Sequence, residues 1–328
     1  MSGPNNSPTA MSTDLPGPID LPEPVGQPGS VGQPGSTGST GSTLTWRQLW
    51  AETATTLGDR HHARWMCEVA SGCERDEFVA ELDRPATERM MAHLDAMIAR
   101  RATGEPLQYV LGSWQFRTLE LMLDRRVLIP RPETEWVCDT ALQLVRSMPH
   151  RPRRVVDLGT GSGAIGLSIA AELPIDSVEV WIADVSNDAL DVARANLAGI
   201  GRAASAVRVV HGSWFDALPD DVRGTLDLVI ANPPYIADGD PEVESSVLDH
   251  EPHLALFSGA DGLDDIRRIV AEAPGWLAPE GWLVMELGAT QGPAVTALLT
   301  ATEFRHVEIR KDLAGHDRTA LAQRPTAV

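Results

Sequence analysis

The stretch Val155-Val156-Asp157-Leu158-Gly159-Thr160-Gly161-Ser162-Gly163-Ala164-Ile165-Gly166 decides the fold. The apolar run over 154–158 reads as a buried strand, and the glycines lead straight into a helix over 162–172. In that setting glycines let a ligand approach the backbone, and the helix start offers free N–H groups at the positive end of its dipole. Gly161, Gly163 and Gly166 satisfy G-x-G-x-x-G, and Asp184, 18 residues beyond Gly166, ends the next strand-like run. A carboxylate there can accept hydrogen bonds from a ribose diol. The loop alone therefore specifies a nucleoside-containing cofactor without choosing which one.

Working outward, strand-like runs lie at 178–184, 207–211 and 226–231, with a second helical stretch at 186–198. Later runs at 282–287, 306–311 and 319–324 add strands, the last two joined by the short 312–318 loop as an antiparallel hairpin. Strands alternating with helices predict an α/β fold, a doubly wound and mostly parallel sheet with an antiparallel C-terminal strand. Upstream, Pro130-Arg131-Pro132-Glu133-Thr134-Glu135 opens a helix with Pro132 in its first turn and Val137, Ala141, Leu144, Val145 and Met148 on its buried face. Before it, Phe116, Leu119, Leu121 and Leu123 alternate as in a hairpin. Trp46, Leu49, Trp50, Thr53, Ala54 and Leu57 follow helical spacing, as do Met90, Leu94, Met97, Ile98 and Arg101, with breaks at Gly58, Gly72 and Pro85. A small helical domain thus precedes the sheet. The first 43 residues hold eight Gly and eight Pro and repeat VGQPGS at 25–30 and 31–36, a composition that predicts a disordered tail. The organisation expected is a tail at 1–43, a helical domain at 44–110, a hairpin linker at 111–130 and the α/β domain at 131–328.

Composition excludes several classes. Over 328 residues, 46 acids against 27 bases give a net charge of −19, which disfavours gripping nucleic acid by its phosphates. Three cysteines, Cys67, Cys73 and Cys138, form no C-x-x-C pair, so a disulfide framework and a structural zinc site are not expected and a reducing cytoplasm is. No apolar run reaches the ~18–20 residues of a membrane helix, and the N-terminus lacks the pattern of a secretory signal.

What separates the cofactor readings is Asn232-Pro233-Pro234-Tyr235, at the end of the run 227–231. In an open α/β sheet that carboxyl end borders the ligand crevice. The two prolines fix the backbone and remove two N–H donors, leaving carbonyl acceptors. The Asn side-chain oxygen adds an acceptor and Tyr235 a flat face. Two acceptors and a plate suit a planar –NH2 group, its nitrogen turned toward a methyl donor. His250-Glu251-Pro252-His253 is not read as a metal centre, since Pro252 breaks any helix that would align the pair. His61-His62 reads as a solvated helix end, and Cys67 and Cys73 as buried small hydrophobes.

Asp157-x-Gly159-x-Gly161-x-Gly163 resembles the first motif of S-adenosylmethionine-dependent methyltransferases. From 104 to 324 the chain resembles the N5-glutamine methyltransferases of peptide chain release factors. The matching stretches are Gly104-Glu-Pro-Leu-Gln-Tyr109, Phe116, Leu128-Ile-Pro-Arg-Pro-Glu-Thr-Glu135, 157–166, Asn232-Pro-Pro-Tyr-Ile236, Glu251-Pro252, Gly259-Ala-Asp-Gly262 and Asp312-x-x-Gly315-x-Asp317-Arg318. Asn-Pro-Pro-Tyr is shared with enzymes that methylate amino groups of bases, whereas the string at 128–135 is much more specific. The resemblance implies a Rossmann-like fold, S-adenosyl-L-methionine as cofactor and, as substrate, the glutamine of the Gly-Gly-Gln motif of class I release factors. Carried over by residue, Gly159, Thr160, Gly161, Ser162 and Gly163 would line the methionine part of the cofactor, Asp184 would accept the ribose hydroxyls, and Trp214 would lie beside the adenine. Asn232 and the Pro233 carbonyl would hold the substrate amide, with Pro234 and Tyr235 packing around it. The protein is then expected to be a cytoplasmic monomer. The alternatives are a glutamine methyltransferase for a ribosomal protein, an amino-methyltransferase for a nucleic-acid base, a catalytically silent binding module for the same cofactor, and an NAD oxidoreductase.

Overall fold

The computed structural model describes residues 44–74, 76–149 and 152–325; the Gly/Pro-rich tail expected at 1–43 lies outside the described residues. Helix α1 (Trp46–Leu57) starts at a capping box, the Thr45 hydroxyl accepting from the Gln48 N–H while the Gln48 side chain accepts from the Thr45 N–H. Gly58 and Gly72, both left-handed, stop α1 and α2 (Arg60–Ser71). The short α3 (Phe78–Glu81), then α4 (Glu88–Ala102) and α5 (Leu107–Leu111), complete the helical region. Trp46, Met66, Phe78, Leu94 and Met97 fill its core, so the apolar stripes read from the sequence are core.

The hairpin pairs β1 (Ser113–Phe116) with β2 (Leu119–Met122). It buries Phe116 and Leu121 in the same cluster as α6 (Thr134–Ser147). This helix begins later than expected: Pro132 lies in a preceding turn closed by Glu135 N–H to Pro132 O, and Glu133 is the N-cap. Next come β3 (Arg153–Leu158), α7 (Ala164–Glu172), β4 (Val178–Asp184), α8 (Asn187–Gly199), β5 (Val207–His211) and β6 (Leu226–Ala231). Helix α7 starts two residues after the expected 162 because Gly161 and Gly163 are both left-handed, with φ of 56° and 86°. The chain continues through α9 (Ser245–His250), α10 (Asp264–Trp276), β7 (Leu277–Glu286), α11 (Gly292–Ala301), β8 (Arg305–Lys311) and β9 (Asp317–Gln323). Strand β7 begins five residues before the expected start, 277 against 282, and α10 carries Pro274 in its last turn.

The strand order is β5-β4-β3-β6-β7-β9-β8. All pairings from β5 to β7 are parallel, and β9 runs antiparallel to both neighbours. Helices α6, α7 and α8 cover one face, α10 and α11 the other, each over its own apolar cluster. From β3 the chain proceeds outward to β4 and β5, then returns to place β6 on the other side of β3. That reversal opens a crevice at the carboxyl ends of β3 and β6, the position where doubly wound sheets bind ligands.

Candidate active site

The glycine loop occupies the crevice as one wall of a cavity of about 340 Å3. Gly159, Thr160, Gly161, Ser162, Asp184, Trp214, Asn232 and Pro234 line it. Gly163, expected on this wall, instead lies behind it as the left-handed residue that caps α7. Gly166 serves packing: a Cβ there would sit 2.4 Å from Ile182 Cγ2 of β4. Gly159 lies against the Trp214 ring, whose indole N–H donates to Asp265 Oδ1 at 3.0 Å. Trp214 itself has a φ of 51°, a costly conformation for a bulky residue, so the ring is held by its surroundings.

Two carboxylates define the electrostatics. Asp184, at the end of β4, accepts from the N–H groups of Gly161 and Ser186, each at 2.9 Å. Burial raises its carboxyl above the usual range, and these backbone donors oppose the rise. Asp157, at the end of β3, accepts on Oδ2 from the Thr160 hydroxyl (2.6 Å) and the Gly166 N–H (2.9 Å). Its Oδ1 is buried without a partner, and burial pushes the carboxyl up to about 6. A buried acid behind the glycine loop, a carboxylate at the second strand end and a fixed indole plate fit a cationic nucleoside such as S-adenosylmethionine.

A second cavity of about 370 Å3 adjoins the first. Asn232, Leu128 and Ala255 belong to the walls of both. Tyr235 lines the second cavity only, and Pro233 is buried beside Asn232. Beneath Asn232 lies a network absent from the sequence expectations. Asn232 Nδ2 donates to Thr134 Oγ1 (3.3 Å), Thr134 donates to Glu286 Oε2 (2.7 Å), and the Tyr235 hydroxyl donates to Glu286 Oε1 (3.2 Å). Glu286 is fully buried, and burial pushes its carboxyl up to about 7 against the pull of the Thr134 and Tyr235 donors and Arg318. The available signals were Thr134 within the string at 128–135 and an acid at the carboxyl end of the strand beside β6.

The Glu251-Pro252 segment is a clamp. Buried Glu251 accepts from the Arg131 guanidinium and the Ile129 N–H, while Pro252, Leu254 and Phe257 line the first cavity. Gly262 is left-handed (φ 72°) and packs where a Cβ would lie 2.3 Å from the Tyr235 carbonyl oxygen. The His250 and His253 rings bond to the carbonyls of Ser246 and Leu248, and among the described residues no group of His, Cys, Asp and Glu is placed to hold a metal ion. Cys67 and Cys138 are buried, whereas Cys73, expected to be buried, is half-buried at the edge of the helical core; burial pushes the Cys67 thiol up to about 12.

Comparison with known proteins gives two family matches, the methyltransferase small domain over residues 137–250 and the PrmC N-terminal domain over 51–112. The release factor glutamine methyltransferase of Xylella fastidiosa is 39% identical over 272 residues, 83% of this chain and 96% of that protein. The enzyme of the same name from Burkholderia pseudomallei is 41% identical over 270 residues, 81% of this chain and 93% of its own length. A solved release factor-specific protein-(glutamine-N5) methyltransferase from Alicyclobacillus acidocaldarius is 30% identical, with a TM-score of 0.37 over 60% of this chain and 94% of that one. With its glycine loop and Asn-Pro-Pro-Tyr segment at one crevice and relatives matched over nearly their full length, the chain belongs to the release factor glutamine methyltransferase family.

Proposed function

We propose that this protein uses S-adenosyl-L-methionine to methylate the side-chain amide nitrogen of the glutamine in the Gly-Gly-Gln motif of class I release factors. The observation that carries the assignment of sites is that Asn232 stands on the walls of both cavities. The first receives the cofactor: Gly159, Thr160, Gly161 and Ser162 along its methionine part, Asp184 at the ribose diol, Trp214 beside the adenine. Gly163 contributes by setting the turn. The second receives the glutamine, between Asn232 and Tyr235 with the Pro233 carbonyl beside Asn232, while Pro234 closes the first cavity on the substrate side. The helical region at 44–110 meets the rest of the release factor, and 111–130 joins it to the catalytic part at 131–328. The protein acts as a cytoplasmic monomer and binds neither nucleic acid nor membrane. In support, the net charge is −19, and among the described residues no helix is long and apolar enough to cross a membrane.

The chemical difficulty is the nucleophile. An amide nitrogen is poor because its lone pair is delocalised into the carbonyl. When bound, the cofactor supplies an electrophilic methyl group on a positively charged sulfur. Asn232 Oδ1 and the Pro233 carbonyl accept the two amide N–H bonds, return electron density to nitrogen and aim it across the shared wall. Fixing two reactants in line contributes up to ~7–11 kcal/mol, so positioning carries most of the rate. Acceptors aimed at the nitrogen also stabilise the charge that develops there. Transfer leaves the amide nitrogen as an N-methylated cation, which is strongly acidic and loses its proton to water to give the neutral methyl amide, so no dedicated base is required.

The test is mass spectrometry of a purified release factor incubated with this protein and cofactor. One methyl on the Gly-Gly-Gln peptide, localised to the glutamine side chain, is expected. Asn232→Ala should lower turnover by roughly 100- to 1,000-fold, the scale of losing an aligned polar contact at the reacting centre, and leave cofactor affinity within a few-fold. A variant with near-wild-type turnover removes Asn232 from the role.

A further inference from the structure

We infer that Thr134 and Glu286 are positioning residues that set which end of the Asn232 amide faces the substrate. This rests on the reading of Asn232 as the amide acceptor given above. The inference follows from counting protons along the chain Glu286, Thr134, Asn232. An ionised carboxylate only accepts, and a threonine hydroxyl has one proton. Thr134 gives that proton to Glu286 Oε2 at 2.7 Å, so its oxygen is left to accept. The group that meets it at 3.3 Å must then be the –NH2 of Asn232. That leaves Asn232 Oδ1 free to accept, as a substrate –NH2 requires. The Tyr235 hydroxyl donates to the other carboxylate oxygen, Oε1, so the acid is held from both sides. The three elements involved are far apart in sequence: Thr134 opens α6, Asn232 follows β6, and Glu286 ends β7.

The same count reverses when Glu286 takes up a proton on Oε2, the oxygen that faces Thr134. The acid then donates to Thr134, Thr134 donates to the Asn232 carbonyl oxygen, and the Asn232 –NH2 turns toward the substrate –NH2. Two donors face each other and the amide is no longer held. Glu286 is fully buried, and the charged or titratable groups facing it are Glu133 before α6, Tyr235 after β6 and Arg318 of β9. Burial and Glu133 favour the protonated form; Arg318 and the Thr134 and Tyr235 hydroxyls favour the ionised one, with the midpoint at about 7. Activity therefore falls as pH drops through that value. A carboxylate that served only to fill space would produce no such acid limb.

The experiment compares wild type, Thr134→Val, Thr134→Ser, Glu286→Gln and Asn232→Ala on full-length release factor, with kcat and both KM values measured from pH 5.5 to 8.5. Thr134→Val keeps the side-chain shape and removes the relay. Its kcat is expected to fall about 100-fold, the lower end of the scale for losing one aligned polar contact, with the cofactor KM within threefold. Thr134→Ser should recover most of that loss. The wild-type acid limb in kcat should vanish in Glu286→Gln, which cannot titrate. The proposal is overturned if Thr134→Val turns over within threefold of wild type, or if Glu286→Gln keeps the same acid limb. An active Asn232→Ala would overturn the underlying site assignment, whereas an inactive Asn232→Ala beside an active Thr134→Val overturns the relay alone.

Discussion

Replacing Asp157 by Asn separates the cost of a buried charge from its use. In the folded protein the carboxyl is lifted from 3.8 to about 6, chiefly by burial. A rise of about two pH units, at ~1.36 kcal/mol each, corresponds to about 3 kcal/mol of destabilisation at neutral pH. The bonds from Thr160 and Gly166 both reach Oδ2, so an asparagine carbonyl oxygen can keep both. Its –NH2 then takes the buried, partnerless place of Oδ1, at a cost of roughly 1–2 kcal/mol. The net expectation is a ligand-free protein more stable by ~1–2 kcal/mol at pH 7.5, a rise in Tm of about 2–6 °C. The sign depends on pH. An acid whose folded pKa lies above its unfolded one costs nothing below the lower value and its full penalty above the higher. The advantage of the Asp157→Asn variant over wild type must therefore shrink as pH falls from about 6 toward 3.8. Binding moves the other way. Without the negative charge behind the glycine loop, affinity for the cationic cofactor should drop about tenfold or more, since opposite charges a few ångströms apart interact by a few kcal/mol at an effective dielectric of about 20. Urea unfolding at pH 4.5 and 7.5, with calorimetric titration of cofactor, reads both effects. A variant less stable than wild type at pH 7.5, or a difference that does not vary with pH, refutes the reasoning.

Two further predictions concern the frame of the site. Gly166→Ala places a methyl 2.4 Å from Ile182 Cγ2, a branch atom that cannot swing away, and should destabilise by ~2–3 kcal/mol or more, whereas Gly161→Ala meets nothing within 4 Å and suffers only its left-handed φ of 56°, about 1–2 kcal/mol. Denaturant midpoints of the two variants decide the order. Glu251→Ala leaves the buried Ile129 N–H without an acceptor and releases Arg131, so stability should fall by ~2–4 kcal/mol. KM for cofactor should rise with it because Leu128 and Pro130 line the first cavity; an unchanged unfolding midpoint with unchanged KM would show that the clamp does not hold that wall.

Features carried by short stretches were legible in the sequence. The glycine loop, the alternating strands and helices and the Asn-Pro-Pro-Tyr turn are local: the residues that show them are neighbours in the chain, and positive φ or a missing N–H marks them by type. Helix α10 shows the limit of such marks, since Pro274 reads as a breaker yet is tolerated in the final turn. Gly163 shows another, because one G-x-G pattern serves both ligand approach and turn closure and only geometry separates the two. What was illegible is the polar network under Asn232. Thr134 and Glu286 lie 152 residues apart, and their pairing exists only because α6 packs over the carboxyl ends of β6 and β7. No propensity or spacing rule couples residues at that separation.

The string at 128–135 illustrates how a segment outside the glycine loop comes to carry so much of the site. Its residues leave in different directions. Leu128 stands on both cavity walls, Pro130 on the first and Glu133 on the second. The Ile129 N–H and the Arg131 guanidinium hold Glu251 from the loop before the first cavity's apolar edge. Thr134 turns inward to Glu286 and Asn232, and Glu135 turns back to accept the Arg117 N–H of the hairpin. Eight consecutive residues thus touch the hairpin, the clamp, both cavities and the buried acid. A helix in that place could not do this, because its side chains repeat every 3.6 residues and its N–H groups are used internally. Two prolines at 130 and 132 keep the segment extended or turned until Thr134, and that delay leaves the Ile129 N–H and Arg131 to meet Glu251 while Thr134 meets Glu286. The late start of α6 is therefore what allows one strap of chain to join the wall of the first cavity to the buried Thr134–Glu286 pair beside Asn232.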